Sequence, residues 1–323
     1  MRATFSRRDF LKTSVGASAA LGAASIGLAP AVARAAQTPL YKISLAEWSI
    51  NQSLRSGKMQ HLDFAKIAKS CGIDAIEYVN QFFPNFKQKQ VRDEPHLKEL
   101  NQRAKDEGVT QVLIMCDGEG ALGDPDPAAR QTAVENHYRW IEAVKFLGGH
   151  SIRVNANSTG TPEEQSKLVA DGMHKLCEYG EKHGINVIIE NHGGNSSNAK
   201  WLMATLKLAN HPRAGTLPDF GNFSLGGGGR RGGPAQSYDS YVGVTEMMPL
   251  AKGVSVKPRV WDFNGNQSDI ALPRMMKIVV DAGYHGYCGI EYGPSGRELE
   301  GIIELRKQLE TVRDQLTAQR AKA

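Results

Sequence analysis

Three acidic residues stand where carboxylates rarely stand unaided. Val187-Ile188-Ile189-Glu190 carries an apolar strand straight into Glu190, and Asn191-His192-Gly193-Gly194 follows. Thr216-Leu217-Pro218-Asp219 and Gly289-Ile290-Glu291 end the same way. An unpaired buried charge is costly, so each needs a partner or a function. Three carboxylates meeting at one point repel one another unless something positive sits between them. Hard oxygen donors of this kind suit Mn²⁺ or Mg²⁺ and permit Zn²⁺ or Co²⁺. The first expectation is therefore a divalent-metal centre held by Glu190, Asp219 and Glu291. The competing reading pairs each acid with a nearby base, for which Arg153 and Lys257 are available. Alternation along a strand puts Glu190 and His192 on one face, which offers an imidazole to the same centre.

The elements that would position these groups alternate strand and helix. Strands are expected at 41–50, 75–79, 109–116, 151–155, 185–190, 214–219, 253–257 and 287–291. Helices are expected at 62–71, 96–107, 128–146, 162–183, 199–208, 239–250, 270–282 and 296–316. Thr161-Pro162-Glu163-Glu164 is a helix start with a Thr cap, Pro in the first turn and Glu at the capping-box position. Glycines at 72, 108, 148 and 184 close four of the helices. Eight strand–helix pairs in about 285 residues match a (β/α)8 barrel, in which catalytic groups gather at the C-terminal strand ends. A doubly wound sheet would need a Gly-rich first turn, and the turn after Ile50 has none. The longest loop, 223–237, holds Gly226–Gly229, Arg230, Arg231, Gly232 and Gly233. It lacks the Gly-Lys-Ser/Thr of a phosphate loop. It reads either as a surface loop or as a lid bearing two arginines.

The 323 residues have a formal charge of +5. Residues 1–35 hold Arg2, Arg7, Arg8, Lys12 and Arg34 against Asp9, so the rest of the chain is nearly neutral. That argues against a nucleic-acid surface. Ser6-Arg7-Arg8-Asp9-Phe10-Leu11-Lys12 is a twin-arginine pattern, followed by an Ala/Gly-rich run and the small-x-small site Ala33-Arg34-Ala35. A signal over 1–35, a barrel domain over 36–323, the twin-arginine export machinery as a partner and a periplasmic location are the expectations. Cys71, Cys116, Cys177 and Cys288 form no CxxC pair and lie in apolar stretches, so buried free thiols are expected.

The segments Ile189–Gly194, Pro218–Asn222, Gly253–Lys257 and Gly289–Tyr292 resemble the sugar phosphate isomerase/epimerase family of xylose isomerase-like barrels. The resemblance covers residues 40–315. It implies that Glu190, Asp219 and Glu291 hold a divalent metal, and that Asn222 touches a sugar. The family's seventh strand often supplies a His, and here Ser255 stands in its place, with Lys257 facing the same way. Either His192 or water completes the coordination, or Lys257 balances the charge of a metal-free site; metal retention is the reading adopted. The implied activity is isomerisation or epimerisation of a free or oxidised sugar. Glu190 and Glu291 would move a proton beside a carbonyl, with Lys257 among the catalytic groups. Elimination on 3-keto-glycosides is one alternative, and a non-catalytic sugar-binding barrel is another. A DNA-repair endonuclease is disfavoured, because such relatives carry more metal-binding histidines.

Further candidates each have two readings. Trp48 and Asn51 end the first strand and either meet a sugar ring or pack and turn the chain. Arg153 and Asn155 either touch substrate or are structural. Glu77 either orients a hydroxyl or forms a salt bridge inside the barrel. With His192, Asn222 and Ser255, Trp48 and Arg153 complete the expected substrate contacts. Self-association into a homo-oligomer stays open.

Overall fold

The computed structural model describes residues 38–88, 93–226, 236–294 and 296–322. The expected signal and the Arg230-Arg231 lid lie outside them.

Eight parallel strands make one sheet: β1 Lys42–Ala46, β2 Ala75–Val79, β3 Thr110–Met115, β4 Ser151–Val154, β5 Asn186–Glu190, β6 Ala214–Leu217, β7 Val254–Val256 and β8 Tyr287–Ile290. Chain neighbours pair from β1 to β6, and β1 also pairs with β8, in the register Lys42–Tyr287 to Leu45–Ile290. β8 pairs with β7. The last seam, between β6 and β7, is crossed by parallel bridges at Thr216–Ala251 and Asp219–Ser255. The sheet is thus a nearly closed (β/α)8 barrel.

Strand alternation sorts the side chains into two compartments. Ile152, Val187, Ile189, Val254, Val256, Cys288 and Ile290 face outward into the core beneath the helices. Ala46, Val79, Leu113, Met115, Ile188 and Leu217 fill the barrel interior. The same period of two carries Arg153, Glu190 and Glu291 inward. The helix Pro162–His183 shows how the outer layer is built. Thr161 and Glu164 form the expected capping box, and Gly184 closes the helix at φ 74°. Val169, Met173, Leu176 and Cys177 lie on its buried face. Each such side chain contributes roughly 1.5–3 kcal/mol by leaving water. All four cysteines are free and buried.

The structure departs from the expected elements at several places. The first strand stops at Ala46, and Glu47–Ile50 curls into a 3₁₀ turn. Glu47 is the cause: its carboxylate takes the Val79 N–H at 2.9 Å and meets His61 Nδ1 at 2.5 Å, which pulls the chain out of the sheet. The single helix expected at 128–146 is two, Pro127–Asn136 and Tyr138–Phe146. At the break the His137 N–H bonds to Val134 O, three residues back, and its ring meets Ala133 O. A hairpin, Arg259–Trp261 with Gln267–Asp269, follows β7 where only loop was expected.

Candidate active site

Glu190, Asp219 and Glu291 converge, as their strand ends suggest. One carboxylate oxygen from each lies within 4.8 Å of the other two, and all three residues are buried. Asn191 sets the turn that brings Asp219 in. Its side chain accepts the Asp219 N–H at 2.8 Å and donates to Asp219 O and Asn222 O. The same turn aims two backbone N–H groups, from Gly221 and Asn222, at Asp219 Oδ1, each at 2.8 Å.

Each carboxylate is held by a separate donor set. Glu190 Oε1 accepts from Asn222 Nδ2 at 2.7 Å. Glu190 Oε2 lies 2.8 Å from Arg153 Nε, yet neither atom has an aligned hydrogen-bond partner, so this is a contact between charges. Asp219 Oδ2 accepts from Ser255 Oγ at 2.7 Å, and Glu291 Oε2 is 3.2 Å from that same hydroxyl. A hydroxyl has one proton, and the shorter distance gives it to Asp219. Lys257 Nζ lies 3.1 Å from Asp219 Oδ2 and 3.0 Å from Glu291 Oε1.

These surroundings push the two glutamates apart in acidity. Burial raises Glu190 to about 8, helped by Asp219 and Glu291 and opposed by Arg153. Burial acts upward on Glu291 too, but the Lys257 ammonium outweighs it and holds that carboxyl below its ordinary value. Asp219 is raised, by burial first, against the pull of Lys257. With lysine in the site, Glu190 therefore leans toward the protonated form and Glu291 toward the ionised one. Carboxyls separated in this way are the usual mark of an acid and a base.

Two sequence expectations need correction here, the His192 ligand and the Glu77 salt bridge. His192 does not join the acids: it lies beyond the end of β5 and is exposed, with Nδ1 3.0 Å from Asn155 Oδ1. Strand alternation cannot be carried past Glu190, because the strand ends there. Trp48 sits on the 3₁₀ turn rather than a strand end, half-buried over the interior cluster, its ring 6.3 Å from Phe82 and beneath the Arg55 guanidinium. Asn51 donates to Trp48 O and opens the short helix Asn51–Arg55. Arg153 meets two acids, Glu190 and Asp117, the latter at 2.7 Å. Among the described residues Glu77 makes no ion pair; it takes a hydrogen bond from Ser44 Oγ at 2.6 Å and lies over Gly289.

Asp117 escaped the sequence reading. It follows β3 and binds Arg153 and Asn155, each at 2.7 Å. The signal was present, since Ile114-Met115-Cys116-Asp117-Gly118 is a fourth apolar strand ending in an acid. A cleft of about 400 Å³ opens beside the centre, lined by His192, Gly193, Asn222, Ser224, Trp261 and Gln267 among others.

The donor set fits a divalent ion. It offers buried carboxylate oxygens at a spacing one ion can span. The acids Asp117, Glu190, Asp219 and Glu291 also outnumber the bases Arg153 and Lys257 that neutralise them. Hard oxygen donors with surplus negative charge favour Mg²⁺ or Mn²⁺.

No curated protein matches this chain in sequence. Solved structures match its fold at low identity. The 3-keto-D-glucoside 4-epimerase from E. coli is 14% identical, with a TM-score of 0.62 over 84% of this chain and 99% of that one. An L-ribulose 3-epimerase is 14% identical, with a TM-score of 0.63 over 86% and 97%. A xylose isomerase-like TIM barrel protein from Mycobacterium smegmatis, solved with magnesium, is 15% identical, with a TM-score of 0.61 over 84% and 96%. At the level of sequence profile, residues 65–314 match one family over most of the barrel. The chain belongs to the xylose isomerase-like TIM barrel family.

Proposed function

We propose that this chain is a sugar epimerase or isomerase that moves a proton at a carbon beside a carbonyl. The observation that carries the reading is the pair Glu190 and Glu291, buried side by side with opposed proton affinities. Glu291, ionised, takes the proton from one face of the carbon. Glu190, protonated, returns one to the other face or to a neighbouring carbon. Arg153 and Asn222 hold the Glu190 carboxyl in place. The Lys257 ammonium is the positive charge available beside these acids to stabilise negative charge on the substrate. A divalent ion held by Glu190, Asp219 and Glu291 would supply that stabilisation in place of the lysine, by polarising the carbonyl. The fold neighbours that are named as a 3-keto-glucoside epimerase and a ribulose epimerase make an oxidised or free sugar the substrate class to try first.

The test is solvent-deuterium uptake. The protein is incubated in D₂O with a panel of free ketoses and 3-keto-glucosides, with and without Mg²⁺, Mn²⁺, Zn²⁺ or Co²⁺. Deuterium should enter the carbon beside the carbonyl, and Glu291→Gln should abolish the uptake. Binding of these sugars with no exchange under any metal condition would support a non-catalytic sugar-binding barrel instead. A second outcome, loss of the substituent β to the carbonyl, would make the protein a lyase. The protonated Glu190 favours that reading as a secondary one, since it can hand its proton to a leaving oxygen.

We further propose export by the twin-arginine machinery, on the Ser6–Lys12 pattern alone. Arg7→Lys with Arg8→Lys should leave the protein uncleaved in the cytoplasmic fraction. Cleavage and periplasmic recovery of that variant would count against the reading.

A further inference from the structure

Lys257 follows β7 and reaches into the carboxylate centre along a path cleared by a glycine. A Cβ at Gly221 would stand 3.1 Å from Lys257 Cδ and 3.2 Å from its Cβ. The end of the side chain is fully matched. An ammonium has three N–H donors. Three oxygens lie at hydrogen-bond distance: Glu291 Oε1 at 3.0 Å, Asn222 Oδ1 at 3.0 Å and Asp219 Oδ2 at 3.1 Å. Two of these belong to the acids that would ligate a metal. Asn222 completes the arrangement by donating its amide N–H to the third acid, Glu190, at 2.7 Å while accepting from Lys257.

We infer that the Lys257 ammonium is the resident cation of this centre, and that a divalent ion enters only by displacing it. The two occupants exclude each other on simple grounds. An ion held by Asp219 and Glu291 would need the carboxylates that Nζ now contacts. Two cations so close repel strongly in a buried setting. The side chain has somewhere to go. It is 21% exposed, and its stem lies beside the turn that borders the His192–Trp261 cleft. The protein would then hold the same three acids together in two charge states, with lysine in or metal in. This inference concerns the carboxylates and the lysine alone, and it stands whether or not the substrate is a sugar.

Two measurements test it, both with Mn²⁺ as the probe. In the first, Mn²⁺ binding to the wild type and to Lys257→Met is compared by calorimetry. Removing the internal competitor should tighten binding by about tenfold or more. Equal or weaker binding by the variant, or none by either protein, overturns the inference. The second uses the unaltered chain, so it stands even if the variant folds poorly. Brief acetylation with acetic anhydride is read at each lysine by mass spectrometry. Without metal, Lys257 should react far more slowly than the exposed Lys98. Saturating Mn²⁺ should raise the Lys257 rate severalfold and leave Lys98 unchanged. A Lys257 that reacts as fast as Lys98 without metal, or whose rate Mn²⁺ does not change, refutes displacement.

Discussion

Replacing Glu77 by glutamine should lower stability in mild acid and offset that loss above neutral pH. Glu77 is fully buried inside the barrel, and its Oε2 has no hydrogen-bond partner. Only glycine at 289 leaves room for it, since a Cβ there would come within 2.5 Å of Oε2. Burial raises its carboxyl from 4.5 to about 7, with the hydrogen bond from Ser44 opposing and Glu291 adding to the rise. The folded value is raised, so the folded protein holds this proton more tightly than the unfolded chain. The contribution is fully present below pH 4.5, where both states are protonated. It is lost as pH climbs from 4.5 through about 7, because only the unfolded chain ionises freely there. A shift of this size corresponds to about 3 kcal/mol at 1.36 kcal/mol per pH unit. Glutamine imitates the neutral acid and cannot ionise, so the variant escapes the loss. Its amide leaves the buried position opposite Gly289 unpaired, a pH-independent cost of about 1–3 kcal/mol. Urea unfolding of both proteins at pH 5, 6, 7 and 8 isolates the effect, because every other titrating group cancels in the difference. The gap between variant and wild type should move by about 3 kcal/mol in favour of the variant from pH 5 to pH 8. Parallel curves would show that Glu77 titrates as an ordinary carboxylate, and the burial argument would fail.

Two other substitutions probe the site's frame and the outer layer. Arg153→Met removes the base shared by Asp117 and Glu190 and leaves buried charge uncompensated. It should cost about 3–5 kcal/mol of unfolding free energy, measured by denaturant titration at pH 7, and a loss below about 1 kcal/mol would mean the arginine is not holding those acids. Thr161→Ala breaks the capping box at the start of helix Pro162–His183 and should lower stability by about 1 kcal/mol, with no change in Mn²⁺ binding because the cap is exposed and far from the acids in sequence and role.

Much of this architecture follows from chain-local chemistry. The capping box, the glycine stops and the period-two apolar strands are decided within a few residues, which is why the strand at Ala75–Val79 and the helix at Pro162–His183 match expectation at both ends. The count of eight strand–helix pairs made a barrel the natural closure, and three acids at strand ends located its working rim. Where the sequence failed, hydrogen bonds made only in the folded chain were responsible. The first strand ends early because Glu47 is claimed by His61 and by the Val79 backbone. The long helix breaks at His137, where a three-residue backbone bond tightens the turn.

The identity of the charged groups, and the rim they share, are written in the chain, because a buried acid at the end of an apolar strand has few explanations. Which base answers which acid is not written there. Lys257 and Arg153 are both inward-facing and both cationic, and nothing local says that one spans Asp219 and Glu291 while the other spans Asp117 and Glu190. That assignment depends on how strands far apart in sequence are staggered around the barrel, on the turn that Asn191 pins, and on the space that Gly221 leaves. The acidity of Glu190 and Glu291 depends on it in turn, since burial raises both, while the lysine beside Glu291 and the acids beside Glu190 pull them apart.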